Sequence, residues 1–110
     1  MATRTNDLTK SIVAWLCYNG FVAWRNNNGA VYSVKRKSFL KNPLHKNGVF
    51  DITGFRKKDG KHLEIAIKTG KDKLSAEQTY HLTELQKANC IAFIVYENFD
   101  YFEREIKKYL

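Results

Sequence analysis

Asp51 and Lys68 are the residues whose type and position most readily suggest chemistry. Asp51 follows Gly48-Val49-Phe50 at the head of one β-type run, Phe50 to Phe55. Lys68 ends the next, Leu63-Glu64-Ile65-Ala66-Ile67-Lys68. Side chains two apart on a strand share a face, so Glu64, Ala66 and Lys68 point one way while Leu63, Ile65 and Ile67 point the other. Asp59-Gly60 is a strong hairpin signal between the two runs and brings Asp51 toward the polar face. A carboxylate and a lysine converging at strand ends suit chemistry at a phosphodiester. Carboxylates hold Mg²⁺, which polarises the phosphate and lowers the pKa of a bound water, and a lysine positions that water. A surface ion pair of modest value accounts for the same two residues without any chemistry.

Charge favours the first reading. The formal net charge is +8, which suits a polyanionic partner. The excess is local: Lys35, Arg36, Lys37, Lys41, Lys46, Arg56, Lys57, Lys58 and Lys61 face only Asp51 and Asp59 within about a quarter of the chain. Lys71 and Lys73 extend the basic run beyond Lys68. Tyr32, Phe39 and Phe55 beside these cations could stack on bases, although core packing explains them as well.

The elements that would hold these residues fit one domain spanning residues 1–110. The first is a helix capped by Asn6 or Asp7, with Leu8, Ile12, Trp15 and Leu16 on one face and Gly20 ending it. Phe21 to Arg25 and Ala30 to Val34 read as strands joined in a hairpin by Asn26-Asn27-Asn28-Gly29. A basic loop with the only proline, Pro43, leads to Gly48. After the runs carrying Asp51 and Lys68, Ser75 and Gln78 fit a capping box for a helix reaching about Ala88, stopped by a left-handed Asn89. Ile91 to Tyr96 is an apolar run typical of a buried strand. Because a helix links it to the strand ending at Lys68, those two strands should be parallel and central. Phe99, Phe102, Ile106 and Leu110 mark a last helix, whose aromatic residues (Phe99, Tyr101, Phe102, Tyr109) would pack on the sheet or form a dimer surface. The expected class is therefore α/β with a mixed sheet. Cys17 and Cys90 lack metal-ligand spacing and read as small core residues. His45, His62 and His81 likewise show no ligand spacing and read as structural or surface residues. No membrane span or signal peptide is evident, so a cytoplasmic protein is expected.

Four motifs in order resemble one family. Trp24-Arg25-Asn26, Gly48-Val49-Phe50-Asp51, Ala66-Ile67-Lys68-Thr69-Gly70 and Ser75-Ala76-Glu77-Gln78 are similar to the pattern of the virus-type replication-repair nuclease (VRR-NUC) branch of the PD-(D/E)xK superfamily. The resemblance runs from the first helix to Tyr96. It implies an α-β-β-β-α-β restriction-endonuclease-like core and Mg²⁺-dependent DNA cleavage, with Mn²⁺ able to substitute. It assigns Asp51 and the backbone carbonyl of Ile67 to the metal and Lys68 to the attacking water. Gln78 would orient the site, a role that capping explains equally well. Arg25 and Asn26 would contact phosphate, although Asn26 also suits turn chemistry. A glutamate from the first helix often contributes in this family. None precedes Glu64 here, and that role is not transferred to Asp7.

One position departs from the pattern, since Ala66 stands where the family has its second acid. Three explanations are open: an introduced glutamate-to-alanine substitution, a shift of the carboxylate to Glu64, or a naturally inactive binding module. Glu64 is a poor stand-in, being about 6.7 Å away along the strand. The resemblance further implies branched or duplex DNA as the partner, and most specifically the four-way Holliday junction. Two matched cuts there would require a two-fold homodimer. No nucleotide cofactor is expected. Restriction-like or end-processing cleavage of linear DNA, or DNA binding without catalysis, are the alternatives.

Overall fold

The computed structural model describes residues 4–26, 31–33, 38–40 and 50–110, with side chains given for residues 5–26 and 50–110. Lys35, Arg36, Lys37, Lys41, Pro43, His45, Lys46, Gly48 and Val49 lie outside the described residues. The side chains of Tyr32 and Phe39 do so as well.

Helix α1 spans Arg4–Tyr18 and so begins before the Asn6 or Asp7 cap expected from sequence. Asp7 sits instead in the first turn, where a negative charge complements the exposed amides. Leu8, Ile12 and Leu16 are buried at the expected i, i+4, i+8 spacing. Gly20, at φ +91°, turns the chain into β1, Phe21–Arg25.

Among the described residues β1 does not pair with the following strand as expected, and the turn read between them, Asn27-Asn28-Gly29, lies outside those residues with Ala30 and Val34. Strand β2 (Val31–Ser33) pairs with β3 (Ser38–Leu40), which lies in the stretch read as loop, and the two make a separate ribbon. Strand β1 pairs instead with β4, Ile52–Arg56, antiparallel. Gly54 permits this. A Cβ there would stand 2.1 Å from the Val22 carbonyl oxygen, so only glycine lets the two backbones approach so closely.

Strand β5, His62–Lys68, pairs antiparallel with β4, and β6, Ile91–Tyr96, pairs parallel with β5. The order is β1-β4-β5-β6, so β5 is central while β6 is an edge rather than the central strand expected. Its apolar run has another cause: both faces of β6 are covered, and five of its six residues are buried. Helix α2, Ala76–Lys87, forms the crossover between β5 and β6, and helix α3, Phe99–Ile106, follows β6. A 3-10 turn, Lys107–Tyr109, ends the fold.

Two apolar layers hold the sheet. On one face Leu63, Ile65 and Ile67 join Leu8, Ile12, Leu16, Phe21, Ile52, Phe93 and Val95 with Phe102 and Ile106 of α3. The other face carries a smaller cluster of Phe50, Ala66 and Ile94 under Leu74, Leu82 and Leu85. Phe102 is fully buried and meets Trp15 edge-on at 5.3 Å, while Phe99, Tyr101 and Tyr109 pack against the same core. The aromatic face of the last helix is therefore internal packing; only Leu110 projects outward. The cysteines also differ from expectation. Cys17 is exposed because it lies just past Leu16 on the outer side of α1, and Cys90 is half-buried in the turn before β6. Among the described residues no helix is long and apolar enough to cross a membrane.

Candidate active site

Asp51 lies in a bend one residue before β4. Strand β4 pairs Ile52 with Ile65 and Thr53 with Glu64; carried one step further, this register sets Asp51 opposite Ala66. The carboxylate bridges the same gap, since Asp51 Oδ2 accepts a hydrogen bond from Ile67 N at 2.7 Å. Asn26 braces the bend from the β1 side. Its backbone N donates to Asp51 O at 2.9 Å, and its side-chain amide donates to Phe50 O at 2.7 Å and to Thr53 Oγ1. Beside it, the Arg25 guanidinium is bonded to Asn6 Oδ1 of α1.

Lys68 is half-buried and ends β5 opposite Tyr96. The corner behind it is pinned from two directions. Lys68 O accepts from Glu97 N at 3.0 Å and Gly70 N donates to Glu97 Oε1 at 2.7 Å. The Thr69 hydroxyl lies 2.8 Å from that of Thr5 on α1. Gly70, at φ +62°, turns the chain away, and Lys71 and Lys73 follow it exposed. Gln78 takes the capping role in full: its N donates to Ser75 Oγ at 3.1 Å and its Oε1 accepts from Ser75 N at 3.2 Å. Asp51, Ala66 and Lys68 thus share one end of the sheet, with the first turn of α1 beside them through Thr5 and Asn6.

Ala66 and Glu64 share a face as expected, but in different surroundings. Ala66 is 0 % exposed and is enclosed by Phe50, Ile94 and the leucines of the α2 layer. Glu64 is buried, with both carboxylate oxygens engaged: Oε2 with His62 Nε2 at 2.8 Å and Oε1 with His81 Nε2 at 2.9 Å. Two imidazoles each donating Nε2–H to a separate oxygen satisfy a carboxylate that could not otherwise be buried. This bracket, from β5 to α2, was not anticipated. Its signal lay in Glu64 itself, the one acid inside an apolar strand, because a buried carboxylate demands partners.

The fit to a divalent cation follows from these donors. Asp51 offers a carboxylate and Ile67 a backbone carbonyl, while Ala66 offers no side-chain donor. Both oxygens of Glu64 are taken by histidines. Among the described residues no group of three His, Cys, Asp or Glu could hold a metal ion. The donor set as it stands is therefore one carboxylate short of the Mg²⁺ site implied by the resemblance.

The basic β4–β5 turn lies at the opposite end of the sheet. Arg56 is five residues past Asp51, roughly 16 Å along the strand. Its guanidinium bonds both oxygens of Asp59 and donates to Tyr109 O at 2.7 Å. The Arg56 guanidinium lowers the Asp59 carboxyl to about 2, helped by Lys61 N, and the same contact raises Arg56. Arg56 therefore joins the turn to the end of the chain. Lys57 and Lys58 are exposed and Lys61 half-exposed.

No family model matches the sequence, and no match is found among curated proteins. A solved structure does match in three dimensions. Over 84% of this chain and 67% of its own length, Hjc of Archaeoglobus fulgidus, a Holliday junction resolvase from an archaeal hyperthermophile, superposes with a TM-score of 0.52 at 20% identity. At that identity the likeness speaks for the fold, and the four-stranded mixed sheet flanked by helices is the restriction-endonuclease-like fold of that resolvase.

Proposed function

We propose that this chain is a nuclease of the VRR-NUC type, built to cut branched DNA at the end of the sheet where Asp51, position 66 and Lys68 meet. In its intact form it would be a Mg²⁺-dependent endodeoxyribonuclease, and most specifically a Holliday junction resolvase working as a homodimer. The observation that carries this reading is the hydrogen bond from Ile67 N to Asp51 Oδ2. It fixes a carboxylate opposite Ala66, on the amide of the residue before Lys68, on a fold shared with a junction resolvase. An acid restored at 66 would face Asp51 across two paired strands and share a strand face with Lys68, the converging set that phosphodiester hydrolysis requires.

The chain's own residues would act as follows. Lys68, half-buried at the end of β5 on the strand face of Ala66, would position the attacking water. Lys71 and Lys73 extend its positive charge along the backbone of the DNA. Asn26 ties the Asp51 bend to β1, and the Thr5–Thr69 pair ties the end of β5 to α1. With alanine at 66 the donor set lacks an acid, so the chain binds DNA and cuts it weakly or not at all. The test is Ala66→Glu assayed with Mg²⁺ or Mn²⁺ on four-way, flap and linear duplex DNA. Cleavage confined to branched substrates supports the resolvase reading. Equal cutting of linear duplex would favour a restriction-like or end-processing enzyme, and binding without cutting would favour a binding module.

A further inference from the structure

Helix α2 covers β5 and β6, and among the described residues no helix covers the β1–β4 half of that face. There Trp24 is 47% and Phe55 38% exposed, and the His62 side chain is 43% exposed. The register aligns these rings. Trp24 pairs with Thr53 and Val22 with Phe55, so Trp24 and Phe55 are diagonal neighbours on one face. Phe55 is directly opposite His62. Diagonal positions lie about 7–8 Å apart and direct ones about 5 Å apart, so three rings run obliquely across three strands. The row is also held in place: Glu64 fixes the His62 ring at 2.8 Å. Gly54, between Thr53 and Phe55, keeps β1 close enough for the rings to be neighbours.

We infer that this row is a stacking platform for unpaired nucleotides, a DNA site separate from the Asp51–Lys68 end. Charge selects this occupant over an apolar one. Lys57, Lys58 and Lys61 follow Phe55 or precede His62 at the end of the row, and Asp59, the acid among them, is committed to Arg56. Exposed aromatic faces ending in a patch of cations suit a polynucleotide whose bases stack while its phosphates meet lysines. Trp24 stands opposite Thr53, two residues from Asp51, so a strand on the platform would leave it toward position 66 and Lys68. The inference rests on the nuclease reading and narrows its substrate. The preferred DNA carries an unpaired stretch beside the phosphate to be cut, as a flap, a gap or an opened junction does.

The unmodified chain supplies its own probe, since of its two tryptophans Trp15 is packed against Phe102 and Trp24 is exposed. A sixteen-nucleotide oligothymidine should quench the Trp24 emission, a signal missing from Trp24→Phe. Trp24→Ala and Phe55→Ala should each weaken oligothymidine binding roughly 5- to 150-fold, while blunt duplex binding stays nearly constant. Circular dichroism melts confirm that both variants fold. If the chain binds duplex or junction DNA but oligothymidine neither quenches nor competes, the platform is refuted and the nuclease reading stands. If no DNA of any kind binds, both fall. If the two substitutions instead turn a dimer into a monomer and leave single-strand affinity unchanged, the face is a contact between copies and the inference is wrong.

Discussion

Ile67 N would be a buried donor without its bond to Asp51, so this one contact serves stability as well as any chemistry at the site. Asp51→Ala should cost about 1–3 kcal/mol, the penalty for leaving a buried amide unsatisfied. Asp51→Asn keeps an acceptor and should cost clearly less; urea unfolding midpoints separate the two. At position 66 the surroundings set a different expectation. The alanine is enclosed by Phe50, Ile94, Leu74, Leu82 and Leu85, so a glutamate there is desolvated until a cation meets it. Ala66→Glu should therefore melt below the parent chain in EDTA and recover with Mg²⁺, whereas the parent's melting point should hardly respond to the metal. A variant with the same melting point in both conditions would show that the restored acid does not reach a shared site with Asp51.

Helix α2 has no fully buried residue, so its hold on the sheet depends on half-buried leucines and the Glu64–His81 bond. His81→Ala should leave Glu64 one partner short, destabilise the chain by about 1–3 kcal/mol and speed amide exchange in α2 far more than in β5. Uniform exchange across the fold would contradict that role for the bracket. The β4–β5 turn makes a prediction in pH. Asp59 is held at about 2 by the Arg56 guanidinium, below its ordinary 3.8. Its contribution is thus present above pH 4 and lost as pH falls through 2. An NMR titration should place its midpoint near 2, and Arg56→Gln should return it to the ordinary carboxylate range. Most elements were legible from periodicity, because α1, β5, α2 and β6 each match a strong local pattern. The pairing of β1 was not: Asn26-Asn27-Asn28-Gly29 satisfies local turn rules, while the β1–β4 contact depends on the absence of a side chain at Gly54. The placement of Asp51 and Lys68 at one end of the sheet was legible from the strand alternation ending at Lys68. The bracket on Glu64 was hidden because His62 and His81 come from different elements and share no sequence spacing.

At the scale of the whole molecule, the chain carries a net charge of +8, and exposed or half-buried lysines stand at both ends of the described sheet. Lys68, Lys71 and Lys73 lie at one, and Lys57, Lys58 and Lys61 at the other. DNA spanning both ends should bind with a steep dependence on salt. Lys57→Gln with Lys58→Gln should flatten the log–log slope by roughly 1–2; an unchanged slope would mean that the far end does not touch DNA. The central claim is that this fold carries a nuclease site lacking one acid, and restoring that acid tests it most directly. Folded Ala66→Glu with Mg²⁺ should cut four-way junctions in preference to linear duplex, and adding Lys68→Ala should abolish the cutting. If folded Ala66→Glu cleaves no DNA of any structure with Mg²⁺ or Mn²⁺, Asp51, position 66 and Lys68 do not form a nuclease site.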